Sequence, residues 1–126
     1  MKYNELTRRY FASAACAGVL AGPGIFRGAA GSRAQGTWVQ FDVQASPKIP
    51  KGTIEAVRFL AFACPHVIAV AAWLAEQAVG QELRGQLPES VQSLRERFGV
   101  PVEKLGRLLL VEDAWKAAMT RAGGGH

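Results

Sequence analysis

The sequence predicts an α+β fold in which a short two-strand β element is followed by a mainly helical segment. Three observations carry that prediction. Trp38-Val39-Gln40-Phe41-Asp42-Val43 alternates apolar and polar residues, the period of a half-buried strand. Residues 53–62 read TIEAVRFLAF, a β-branched and aromatic run bounded by a loop, which suits a mostly buried strand. From Pro65 onward the apolar residues recur at helical spacing, three and four apart.

Taken in order, residues 1–34 read as an address rather than as part of the fold. A basic head, MKYNELTRRYF, precedes the uncharged run ASAACAGVLAGPGIF and the small-residue exit RGAAGSRA. That is the layout of a secretory signal, and its apolar run is too short and too rich in Gly and Ala to span a bilayer. TRRYF resembles a twin-arginine export signal, with Thr7, Arg8, Arg9 and Phe11 at the matching spacing. A cut after Ala34 puts small residues, Ser32 and Ala34, at the −3 and −1 positions. The expectation is an exported, periplasmic protein that meets the membrane only during export. Its single small domain is 35–122, with a disordered GGGH tail at 123–126. Cys16 leaves with the leader, so Cys64 is the one thiol of the mature chain.

The remaining elements follow from turn and cap residues. ASPKIPKG is a Pro-rich loop after the first strand, and Arg58 suggests an end or edge position for the second. Pro65 fits the first turn of a helix over 65–79 that stops at Gly80, with Val67, Val70, Ala71 and Leu74 as its apolar stripe. A second helix begins near Pro88-Glu89, buries Val91, Leu94 and Phe98, and stops at Gly99. Pro101 opens a short helix, and a last one over 112–122 turns Trp115, Ala118 and Met119 inward. Trp73 and Trp115 read as core, and Arg95 and Arg97 as a solvated face.

Charge narrows the function. Most of the net charge of +5 comes from the leader, whose five bases meet one acid: from Gln35 onward there are 10 bases against 9 acids. Nucleic-acid binding wants a basic cluster on the folded domain, so it is excluded. One Cys and one His, Cys64 and His66, make half a zinc site, so neither a metal nor a cofactor is expected. Hydrolase chemistry lacks a Gly-x-Ser-x-Gly elbow.

At TIEAVRFLAFACPHV the chain resembles the active-site region of DsbA-type periplasmic thiol:disulfide interchange proteins, in which an apolar strand runs into Cys-Pro-His-Cys at a helix start. Glu55, Val57, Phe59, Phe62, Cys64, Pro65 and His66 carry the likeness. AQGTWVQF is similar to that family's mature start, and LPESVQSLRERFGVPVEKL and DAWKAAMTRA to its helical insertion. The resemblance implies an incomplete thioredoxin-like domain and exported partners that carry disulfides or thiols. It makes Cys64 the catalytic nucleophile and His66 the residue that tunes it. Val67 stands where the family has its second cysteine, so an internal disulfide cannot form and the activity is impaired. From the residues themselves, a cysteine at a helix N-terminus is favoured as thiolate, and a protonated His66 would add to that. The alternative is a non-catalytic small helical periplasmic protein, or an accessory subunit of a larger exported redox enzyme.

Overall fold

The computed structural model describes residues 3–13, 17–22, 24–45, 53–82 and 87–124. Its sheet has three antiparallel strands in sequence order: β1 (Ile25–Ser32), β2 (Thr37–Ala45) and β3 (Ile54–Phe62). Four helices accompany it: α1 (Glu5–Ser13), α2 (Pro65–Ala78), α3 (Val91–Arg97) and α4 (Leu105–Gly124). The α+β class holds, as do both expected strands and the helix that starts at Pro65. Arg58 lies on the outer strand β3. Of the described residues, no helix is long and apolar enough to cross a membrane.

The sheet is built around β2. Val39, Phe41 and Val43 point to one face and are fully buried. They pair across β3 with Ala61, Phe59 and Val57. This face meets α4, where the Phe41 and Trp115 rings stand edge to face at 5.3 Å. Such burial supplies the main stabilising term of a small domain. α2 packs on β3 and carries α1 on its outer side; α3 leans on α4. The opposite face of β2 is buried too, and it holds Asp42, 1% exposed. Arg27 from β1 bonds that carboxylate with Nε and NH2 at 2.7 and 2.9 Å, and the Leu20 N–H donates to it at 3.0 Å. Burial opposes the charge on Asp42. The Arg27 hydrogen bonds, the Leu20 N–H and the Arg27 charge outweigh it and hold the carboxyl below its usual range.

Here the first correction falls. Residues 25–32, assigned to an export leader, are strand β1, paired with β2 from Ile25↔Gln44 to Ser32↔Thr37. A turn at Arg33–Gly36 joins the two strands; Gly36 has φ +84° and donates back to the Arg33 carbonyl. The small residues read as a cleavage exit serve close packing instead. A Cβ on Gly28 would overlap the Ala118 nitrogen and stand 2.7 Å from the Ala114 carbonyl oxygen, so only glycine lets α4 lie this close to β1.

TRRYF likewise forms a docking face. Asn4 caps α1 by accepting from the Thr7 N–H at 2.9 Å. Thr7 is buried, and its hydroxyl donates to the Phe98 carbonyl at 2.6 Å; Asn4 donates to the Arg97 carbonyl at 2.9 Å. Tyr10 is buried and bonds Glu76 of α2 at 2.6 Å. Arg8, Arg9 and Phe11 are the exposed side of this helix. Cys16 lies outside the described residues, as does most of the ASPKIPKG loop.

Two further differences concern the C-terminal half. Pro101 leads into a 3₁₀ turn, Val102–Lys104, that runs straight into α4, so the two expected helices are one. Leu108, Val111, Ala114, Trp115, Ala118 and Met119 form its buried stripe. Gly123 and Gly124 belong to α4, and residues 125–126 of the expected tail lie outside the described residues. Arg95 and Arg97 are not simply solvated. Arg95 donates to the Val100 carbonyl at 3.1 Å, and Arg97 lies over the Trp73 ring at 5.3 Å and pairs with Glu89.

The close approach at Gly28 predicts that Gly28→Ala lowers stability by about 1–3 kcal/mol, the usual cost of overpacking. Gly106→Ala, which meets open space in the first turn of α4, is expected to be neutral or to stabilise by up to about 1 kcal/mol. Urea midpoints of the two variants check both; equal midpoints would remove the packing role given to Gly28. Asp42 predicts an acid limb. Its folded pKa is depressed, so its contribution is present above the unfolded value of about 3.9 and is lost as pH falls through the folded value. Asp42→Asn is expected to lower stability at neutral pH and to flatten the loss below about pH 4. Thermal melts across that range decide it, and parallel curves would rule the effect out.

Candidate functional site

Cys64 sits at the junction where β3 ends and α2 begins. It is the N-cap of α2, with extended backbone (φ −76°, ψ 164°), and Pro65 is the first helical residue. Its carbonyl accepts from the N–H groups of Val67 and Ile68 at 3.1 and 3.2 Å, which starts the helix. The thiol is half-buried against the core and is free. Partial burial works against its ionisation. The N–H groups of Val67 and His66, the Arg107 guanidinium and the Lys104 ammonium work for it, and together they prevail: the pKa lies below its ordinary value.

His66 does not tune the thiol as a cation. Its ring is 1% exposed and lies edge-on to Tyr3, 4.7 Å between centroids. Burial, then Lys104 and Arg107, push its pKa down, so it stands neutral at physiological pH. Neither ring nitrogen has a hydrogen-bond partner among the described residues. The cations beside Cys64 are Lys104 and Arg107, from the turn before α4 and its first helical turn. The sequence held a signal for them. Bases at a helix N-terminus oppose the dipole, and KLGR puts two there with no acid in the first turn of α4.

Val67, where a second thiol would stand, is buried at 1% exposure. A cleft of about 370 Å³ lies elsewhere. Ile54, Gln77, Gln81, Leu87 and Trp115 line it, and Glu82 is its one titratable side chain among the described residues.

The family model of the NifU-like N terminal domain matches residues 2–122. The chain is 30% identical, over 92 residues, to iron sulfur cluster assembly protein 2, mitochondrial, of Saccharomyces cerevisiae. That match covers 73% of this chain and 58% of the relative, so the chain spans little more than half the relative's length. The NifU-like protein (N-terminal) from Brucella abortus superposes with a TM-score of 0.70 at 17% identity, covering 94% of this chain and 92% of that one. A candidate iron–sulfur cluster assembly scaffold for the SUF system from Fervidobacterium Islandicum does so with 0.69 at 15% identity, covering 93% and 96%.

These matches overturn the DsbA-type resemblance and the function and partners drawn from it. The fold is that of the NifU-like structures and not an incomplete thioredoxin-like domain. The family match begins at residue 2, inside the supposed leader. The exported thiol:disulfide oxidoreductase, its twin-arginine signal and its disulfide-carrying partners are withdrawn, and the alternative of a non-catalytic periplasmic subunit also finds no support. The error has a local cause. A strand that ends in Cys-Pro at a helix N-terminus is a short motif, and two unrelated folds can share it.

The electrostatics predict that Cys64 alkylates with a midpoint below the free-cysteine value of about 8.5. In a Cys16→Ser background, where Cys64 is the one thiol, the iodoacetamide rate is followed against pH. Arg107→Ala is expected to move the midpoint upward and His66→Phe to move it little. A midpoint at or above about 8.5 in the parent would contradict the charge assignment.

Proposed function

The chain belongs to the NifU-like N terminal domain family, and on that footing we propose that it works in iron–sulfur cluster assembly. The observation that carries the reading is the family match over residues 2–122. The yeast relative and the SUF-system structure, both named for cluster assembly, support it. The cargo would be iron and sulfide, and Cys64 is the residue suited to meet it. A thiolate is the soft donor that iron–sulfur chemistry uses. The N-terminus of α2, with Arg107 and Lys104, favours that thiolate and complements anionic cargo. Pro65 and the buried Val67 fix the position of the sulfur at the start of a rigid helix, and neutral His66 contributes no charge.

Cells lacking the chain are expected to show a severalfold fall in the activity of iron–sulfur enzymes, with the amounts of those enzymes unchanged. Wild-type chain restores the activity and Cys64→Ser does not. Unchanged activities in the deleted cells would end the reading.

A further inference from the structure

The donors of this chain fall short of the cargo. Iron–sulfur clusters are held by cysteine thiolates, four for the [2Fe–2S] and [4Fe–4S] types. The whole sequence contains two cysteines, Cys16 and Cys64, half of that number. Cys64 is the one cysteine among the described residues, and Cys16 lies outside them. The neighbours that act on Cys64 are of the wrong kind. Arg107 and Lys104 are cations and offer no lone pair to a metal. His66 has both nitrogens unpartnered, but its ring is buried against Tyr3 and faces the field of the same two cations. Among the described residues, no group of three or more His, Cys, Asp or Glu side chains stands together to hold a metal ion.

The geometry points to a shared cluster: this chain does not close the coordination of an iron–sulfur cluster from its own side chains, and a cluster stays on it only when thiolates from outside complete the set. The inference rests on the assembly reading above and specifies it. Cys64 contributes one thiolate. Even if Cys16 joined it, half of the four places would remain for external sulfur. The charges suit the arrangement. A cluster ringed by four thiolates carries net negative charge, and the cations at the start of α4 stand where that charge would be shared. The external thiolates have two possible sources with one chemistry: a free small thiol, or the cysteine of a second protein chain, a second copy included.

The experiment uses the full chain. Its thiols are first reduced with a phosphine that carries no thiol, the phosphine is removed, and the chain is mixed anaerobically with ferric iron and sulfide, then desalted. Bound iron, bound sulfide, visible absorbance and mass by light scattering are read. The monomer is expected to retain no more iron or sulfide than Cys64→Ser. Adding glutathione is expected to produce retention that Cys64→Ser loses, and that result assigns the thiolates to a small molecule. Retention without glutathione, confined to a dimer and lost in Cys64→Ser, assigns them to a second copy and equally supports sharing. One cluster per monomer without added thiol overturns the inference. So does retention that is equal in Cys64→Ser, or that depends on His66 in a His66→Ala variant, or none in any arm. Those results leave the assembly reading to the cell experiment. Intact iron–sulfur enzymes in cells lacking the chain would end that reading and leave the donor shortfall as it stands.

Discussion

A charge buried in the middle of a sheet must be answered, and in this chain the answer fixes how the N-terminal third folds. Asp42 lies on β2 with its carboxylate shut off from water. Unpaired, such a group costs several kcal/mol. Arg27 supplies one counter-group and so fixes β1 beside β2 in the register Arg27↔Asp42. The Leu20 N–H supplies another, and it holds the segment after α1 across the face of the sheet that the helices leave open. The same segment bonds the outer edge of β3 through the Gly18 N–H and the Phe59 carbonyl. One carboxylate thereby ties a strand, a crossing segment and a sheet edge together.

The thiol site is governed by a different balance. Partial burial raises the energy of the Cys64 thiolate, and fixed positive charge lowers it. The charge comes from Arg107 of α4 and Lys104 of the turn before it, far along the chain, and not from the histidine two residues away. That separation has a structural basis. His66 is turned into the protein, against Tyr3, by the helix that Cys64 caps. α4 meets α2 and brings its first turn to the sulfur. Neighbours in sequence are divided by the helix periodicity, and residues distant in sequence are joined by packing.

What was legible in the sequence follows the same line. β2, β3, α2 and the inward face of α4 announced themselves through periodicity, because each has one long apolar face and ordinary cap residues. β1 and α1 did not. β1 reads IFRGAAGS, poor in β-branched residues, because its small side chains serve the approach of a helix backbone, a requirement invisible without the partner. α1 is short and carries two exposed arginines, and what holds it is Thr7, Asn4 and Tyr10 bonding to groups more than sixty residues away. Cys64 could be singled out from Cys-Pro at a helix start. Its electrostatic partners could not, since Lys104 and Arg107 lie on a helix whose packing the sequence does not encode locally. A family likeness resting on a strand, a cysteine and a proline was therefore compatible with a fold to which the chain does not belong.

The contact between Gly28 and Ala118 also bears on the order of events during synthesis. The strand that completes the sheet is made well before the helix that covers it. Contacts between such distant parts of a chain form slowly, because the loop between them must first be closed. Until residue 118 is free, β1 and β2 present an uncovered apolar face, and the nascent chain has no complete core to retreat into. The core of this domain is therefore complete only once α4 has been made, whatever has formed before it.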